Sequence, residues 1–365
     1  MCLFGTELYR IFLKNLAHKF VILMNTFSSF QLGNLTLPNP VFYAPLAGCS
    51  DFPFRQMSAR YSPGLMYCEM VKMDALVRHD PNTFRMLDFD KDMHPIGGQL
   101  CGSKPQLAAK AAKIIEDLGF DVVDLNCGCP VDKVTKDGSG SGLLKNPLLI
   151  GEILSEMVAA VKIPVTVKIR AGWDDENLCA EEITQIAEKA GAKAITIHGR
   201  TRQQAYRGPA NWDHIKASKQ VAKHIKVIGN GDVMDPTSAK RMFEYTGCDA
   251  VLVARGTMGQ PWIAQDILNY LQGGTIRVHT PEDCRQALYE HFLCTERYYN
   301  PRQVVIEMRR VGCWYIKSSG GTREFRGLIS RASSPDQVKD LIQNFSFGND
   351  SDLENSVTDQ DCEAC

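Results

Sequence analysis

The sequence predicts an α/β fold, a TIM (β/α)8 barrel followed by a small all-helical C-terminal domain. Three observations carry this. Eight short runs rich in β-branched and aliphatic residues recur between residues 41 and 254, with helix-like stretches between them. Eight strand–helix units over about 220 residues match the count and span of a closed barrel. After Tyr270 the alternation stops, and residues 281–345 read as helices. A doubly wound open sheet is the competing fold. Against it, no Gly-x-Gly-x-x-Gly follows the first run, and eight regular units suit closure.

Residues 1–31 stand apart as an N-terminal extension. Arg10, Lys14 and Lys19 interleave with apolar residues there, and the longest apolar run is 20–24. That run is too short to span a membrane, and no small-residue cleavage pattern follows it. An amphipathic surface helix competes with an overlong gene start, in which Met24 initiates the protein. The barrel is expected over residues 32–270. Its eight runs are 41–45, 65–68, 95–99, 122–126, 164–169, 194–198, 226–230 and 250–254, with helical patterns such as 106–118, 147–161 and 179–190 between them. Asn146 before Pro147, and Asp235 before Pro236, place a capping side chain ahead of a proline at the first helical position. Gly119 and Gly191 stop their helices. Polar residues collect where the runs end: Gln99, Asn126, Lys168, His198, Asn230 and Arg255. In a barrel, chemistry sits at the carboxyl ends of the strands.

Residues 271–345 form the expected helical domain, with helices at 281–299, 301–317 and 335–345. Arg302, Arg309, Arg310, Lys317, Arg323, Arg326 and Arg331 face only two acids, Glu307 and Glu324, over that stretch. A solvated helical face and an RNA-binding patch both fit, and Trp314 and Tyr315 read equally as core or as RNA surface. Formal net charge is −1, so any RNA contact rests on a local patch. Residues 346–365 are acidic and are expected to be disordered. The 13 cysteines are scattered along 365 residues, which points to a reducing cytosol and not to a disulfide scaffold. The one Cys-x-x-Cys, Cys362 to Cys365, lies in the acidic tail and reads as tail, so no metal site is expected. The chain is read as a cytoplasmic protein, off the membrane and monomeric.

The chemistry centres on the run that ends at Asn126. It breaks into Gly128 and Pro130, with Cys127 and Cys129 at the break. Two readings compete: a pair of small buried hydrophobes, or a thiol presented to a ligand. The seventh run ends in Gly229, Asn230, Gly231 and Asp232, and the eighth in Ala254, Arg255 and Gly256. In TIM barrels the loops after these strands often hold a phosphate, and Arg255 supplies a fork for it. Lys168, at a strand end where burial is expected, calls for an anion or an electron-rich ring. His198, followed by Arg200 and Arg202, is a structural histidine or a phosphate or substrate ligand. Residues 138–142 alternate glycine and serine but lack the P-loop ending, and read as a mobile lid over the cysteines.

Taken together, the motifs resemble the tRNA-dihydrouridine synthases, with the bacterial B-type subgroup nearest. The resemblance is carried by Ala44 to Ala47, Gln99, Asn126 to Pro130 with Lys133, Val134 and Gly140, Lys168 to Arg170, His198 to Arg202, Asn230 to Asp232, and Arg255 with Gly256. Met308 to Arg310 and Trp314 to Lys317 resemble that family's helical domain. The resemblance implies FMN in a barrel, a tRNA substrate bound partly by the helical domain, and NADPH as reductant. It implies hydride transfer from flavin N5 to uracil C6, with a proton to C5 from Cys129, the cysteine directly before Pro130. Cys127 falls where the family has an apolar residue and reads as packing. By the same resemblance Pro45, Leu46, Ala47, Gln99, Lys168, His198, Asn230, Gly231, Asp232, Ala254 and Arg255 hold the flavin. Asn126 and Arg200 face the uracil or its nucleotide, and Arg309 and Arg310 contact tRNA. The chain departs from the family at Ala254, where glycine is usual, and at Val311, where a histidine often stands.

The chemistry fits independently of the likeness. An ordinary thiol, with a pKa near ~8.5, is protonated at neutral pH and can act as an acid. The target base has to leave its stack to enter a barrel mouth. Two other readings remain. One is a flavin barrel acting on a free pyrimidine, as in dihydroorotate dehydrogenases, recognised by activity without RNA. The other is a non-catalytic tRNA-binding protein, recognised by lack of colour and indifference to Cys129→Ala.

Overall fold

A computed structural model gives the fold and describes residues 27–316 and 322–346. The expectations for residues 1–25, for Lys317 and for the tail from 347 onward lie outside the described residues. The strands are β1 (Phe30–Leu32), β2 (Leu35–Leu37), β3 (Val41–Tyr43), β4 (Leu65–Tyr67), β5 (Val71–Lys72), β6 (Ile96–Cys101), β7 (Val122–Cys127), β8 (Val165–Arg170), β9 (Ala194–His198), β10 (Lys226–Asn230) and β11 (Ala250–Val253). Eight of them, β3, β4 and β6 to β11, run parallel in sequence order. Pairing of β11 with β3 and of β4 with β6 closes the ring. These are the eight runs read from the sequence. The short β5 pairs with the end of β6 and takes no part in closure.

Strand period sets which side chains face which layer. In β7, Val123, Leu125 and Cys127 join the layer between strands and helices. They meet Ala108, Ala111, Ala112 and Ile115 of the helix Pro105–Asp117, and Ile150, Ile153, Leu154 and Met157 of the helix Pro147–Ala160. Burying each large aliphatic side chain contributes about 1.5 to 3 kcal/mol. The alternate positions, Asp124 and Asn126, are buried polar residues that bond to one another's partners across the strands. The floor of the barrel is apolar: Phe42, Leu65, Ile228, Ala250 and Leu252 pack on Phe30, Leu32 and Leu37 of the antiparallel hairpin β1–β2. That hairpin was not anticipated, because it stands outside the strand–helix alternation and Gln31, Gly33, Asn34 and Thr36 interrupt its apolar residues.

The two proline caps are present. Asn146 accepts from the Leu149 amide, and Asp235 forms a reciprocal capping box with Ser238. Gly119 and Gly191 end their helices at φ 93° and 91°, where a side chain would be strained.

Past the barrel lie the helices Pro281–Tyr298, Pro301–Tyr315, Thr322–Arg331 and Pro335–Asn344. The third was not anticipated; Gly327 lies inside it, and glycine is a weak helix former. Leu288, Phe292, Val304, Met308, Phe325, Ile329 and Val338 form a second core together with Phe54, Met57, Met258 and Trp262 from the loops and helix above the barrel. Trp314 and Tyr315, 6% and 3% exposed, belong to this core and are not an RNA surface. Val311 is buried there as well, so an apolar residue at that position packs. The helices are tied to the barrel by Tyr298 stacked on Phe52 at 4.5 Å and by Tyr299, whose hydroxyl donates to Asp51 at 3.0 Å. Among the described residues no helix is long and apolar enough to cross a membrane.

Candidate active site

β6, β7 and β8 build one connected polar layer. Gln99 donates to Asp124 at 2.7 Å, the Thr166 hydroxyl donates to the other Asp124 oxygen at 2.5 Å, and Asn126 donates to the Gln99 oxygen at 2.8 Å. Burial pushes the Asp124 carboxyl up to about 6, against the pull of the Thr166 and Gln99 hydrogen bonds and of the Lys168 charge. Asp124 was given no role in the sequence reading, although an aspartate inside a strand of apolar residues was a signal available.

From that layer the chain turns out into the cysteine loop, which is held at three points. The Asn126 side-chain oxygen accepts from the amides of Gly128 at 3.1 Å and Cys129 at 2.9 Å. Ser141 donates to the Cys129 carbonyl from its amide at 3.0 Å and from its hydroxyl at 2.9 Å. Arg170, 4% exposed, donates to the Gly128 carbonyl at 2.9 Å and to the carbonyls of Thr201 and Ala205. Cys129 is partly exposed, whereas Cys127 is fully buried in the helix-facing layer and its thiol is pushed well above the ordinary range by burial. The segment expected to be a lid is instead a buried support. Gly140–Lys145 is a 3-10 turn beneath the loop, with Ser139 and Ser141 buried. Gly140 has φ 58°, and a Cβ there would sit 2.9 Å from the Cys129 carbonyl oxygen.

Lys168 lies in β8, two residues before its end, beside Asn126 of β7. Burial, with the Arg170 charge adding, lowers its pKa to about 8, and Asp124 offsets only part of this. No acceptor among the described residues takes a hydrogen bond from its ammonium, so the charge is open to a ligand. His198 is held neutral by burial and by the surrounding charges of Lys168, Arg170, Arg200 and Arg255. Its Nδ1 accepts from the Arg200 amide at 3.2 Å, which leaves the proton on Nε2.

Across the mouth, β10 and β11 end in two turns. Asn230 donates to the Leu252 carbonyl at 2.8 Å, and the next two residues take φ 114° at Gly231 and 56° at Asp232. Among the described residues no acceptor meets the amides of residues 231–233 or 254–256. Arg255 lies 3.5 Å from Asp232 and its guanidinium is 5.0 Å from the Tyr206 ring. Ala254 has φ −107°, outside the left-handed region, so its methyl meets no left-handed backbone penalty. The loop after β3 brings Pro45, Leu46 and Ala47 to the rim, with Ala47 exposed. Arg200 is turned into the protein, 4% exposed, on the Gly208 carbonyl and the Asp232 carboxylate. Arg309 is exposed and donates to the Ala332 carbonyl, whereas Arg310 is half-buried against Glu307, Cys49 and the Trp314 ring. Among the described residues no group of three His, Cys, Asp or Glu side chains converges to hold a metal.

The dihydrouridine synthase family model matches residues 42–348. The chain belongs to the dihydrouridine synthase family. It is 37% identical to tRNA-dihydrouridine synthase B of Pseudomonas aeruginosa over 319 residues, covering 87% of this chain and 96% of that one. It is 39% identical to tRNA-dihydrouridine synthase B of Vibrio vulnificus over 301 residues, 81% and 92% of the two chains. In fold it resembles histamine dehydrogenase from Rhizobium sp. 4-9, with TM-score 0.55 and 14% identity over 74% of this chain and 51% of that one. Morphinone reductase matches at TM-score 0.50 and 16% identity, over 71% and 92%. Within the dihydrouridine synthase family assignment, the matched span takes in both the barrel mouth and the C-terminal helices.

Proposed function

We propose that this chain is a tRNA-dihydrouridine synthase that reduces the C5–C6 double bond of uridines in tRNA, with FMN in the barrel mouth and NADPH as reductant. The single observation that carries it is the juxtaposition of a clamped, partly exposed Cys129, on the loop after β7, with an unpartnered ammonium at Lys168 on the neighbouring strand β8. The names of the family relatives support the substrate, and the donor set fits the cofactor. Unbonded amides and Arg255 suit a phosphate, the His198 Nε2–H is a free donor, and Lys168 suits the electron-rich edge of a flavin ring.

When bound and reduced by NADPH, the flavin supplies a hydride to C6 of the uracil. The rest falls to the protein. Addition at C6 places negative charge on C5 and O4, so a proton is needed at C5, and the Cys129 thiol carries it. Asn126, Ser141 and Arg170 hold the loop so that this thiol stays at the mouth. Gln99 holds Asn126 in turn, while Pro45 to Ala47 form the rim on the β3 side. The exposed Arg309 contributes to tRNA backbone contact. The protein works as a monomer in the cytoplasm.

The test is to map dihydrouridine in tRNA from cells with and without this gene. Loss at defined positions, restored by the intact gene, supports the reading. An unchanged map, together with turnover of a free pyrimidine by the purified protein, would replace it with a metabolite-directed flavoenzyme.

A further inference from the structure

We infer that Arg200 is a positioning residue that, through Asp232, shapes the turn receiving the cofactor's phosphate, and is not a contact of the uracil. This rests on the flavin reading above. Three observations point to it. The Arg200 guanidinium meets both Asp232 oxygens, at 2.8 and 2.9 Å, and also the Gly208 carbonyl at 2.6 and 3.0 Å. It thereby fastens the β9 loop to the β10 turn. The same Asp232 carboxylate accepts from the Ala210 amide at 2.7 Å and lies 3.5 Å from Arg255. Finally, Gly231 and Asp232 take consecutive positive φ values, 114° and 56°.

A non-glycine residue at positive φ is disfavoured and persists where its surroundings over-determine it. Here the carboxylate bonds supply that determination. Their consequence is a concave turn whose amides at 231–233 have no acceptor among the described residues. Charge agrees: two guanidiniums share one carboxylate, leaving the turn positive, and Arg200 Nη1 is buried without a partner. A dianionic phosphate monoester fits such a turn; a neutral uracil does not need it.

Riboflavin, which is FMN without its phosphate, separates the two ends of the cofactor. Binding of each flavin to full-length, flavin-stripped protein is measured by fluorescence quenching for the unaltered chain, Arg200→Lys, Asp232→Asn and the double variant. Each single change is expected to weaken FMN by about tenfold or more and riboflavin by less than about twofold, with the double variant no worse than the poorer single. Loss of FMN affinity in Arg200→Lys alone would make Arg200 a direct ligand and overturn the positioning role. An equal fall for both flavins, or no fall for either, would overturn the assignment to the phosphate. If the unaltered chain binds neither flavin, it is the cofactor reading that fails.

Discussion

Two cysteines stand two residues apart in β7 and its loop, and their environments diverge completely. Cys127 follows Val123 and Leu125 in strand phase and is sealed under helices; Cys129 lies past the end of the strand on a loop pinned by Asn126, Ser141 and Arg170. Cys129→Ala should lower dihydrouridine formation by about a hundredfold or more, the range for losing a positioned acid, while Cys127→Ala leaves the rate within about twofold. Single-turnover reduction of tRNA by the flavin-loaded protein checks this, and the reverse ranking would mean that the other thiol is the acid. Lys168 gives a prediction of opposite sign for stability and activity. Its folded pKa, about 8, is below the ordinary 10.5, so between those values the unfolded chain binds more protons and stability rises with pH. Below about pH 8 the cost of the buried charge is fully present. Lys168→Met should therefore stabilise the flavin-free protein at pH 7 by on the order of 1 to 3 kcal/mol, while activity collapses. Thermal unfolding at pH 7 reads the first effect, and a lowered melting temperature would show that the ammonium is not strained.

At the level of the loop and its supports, local sequence was a poor guide. Residues 138–142 have the composition of a lid, yet Ser139 and Ser141 are buried because their hydrogen bonds are used on Asp137 and Cys129. Gly140 is required by φ 58° and by a Cβ position 2.8 Å from Val134 and 2.9 Å from the Cys129 carbonyl. Gly140→Ala should displace the Cys129 loop, cutting turnover by about tenfold or more with FMN still retained. Retained turnover at full flavin content would refute the support role. The eight barrel strands were legible, since buried parallel strands are short, aliphatic and bounded by turn residues. So were the caps at Asn146 and Asp235, which depend on neighbours in sequence. The hairpin β1–β2 and the helix Thr322–Arg331 were not: the hairpin stands outside the strand–helix alternation, and a glycine inside the helix weakens its local signal.

Over the whole molecule, the C-terminal helices share a core with the barrel's upper loops, so their charged residues divide into two kinds. Arg309 is exposed, whereas Arg310 sits between helix and barrel, paired with Glu307 and close to Cys49. Asp51 at that junction is already pushed up to about 6 by burial, and Arg310 moderates the effect. Arg309→Glu should weaken tRNA binding and reduce the slope of affinity against salt by about 1, without moving the melting temperature. Arg310→Glu should lower the melting temperature by several degrees, since it adds a carboxylate beside Glu307 and Asp51. Filter binding over a salt series and thermal unfolding separate the two; equal behaviour of both variants would contradict the division.

Local sequence by itself determined the strand count, the strand ends that carry polar residues, and which thiol precedes the proline. These follow from period, turn chemistry and charge, all of which act over a few neighbours in the chain. Only the tertiary structure decided that Arg170 grips Gly128 from 42 positions away, that Ser141 supports Cys129, and that Arg200 serves Asp232. It also decided that Trp314 and Tyr315 lie inside. Such partners are chosen by ring closure and by the packing of the helices on the barrel, and an arginine's many donors give no local sign of which carbonyl will be within reach.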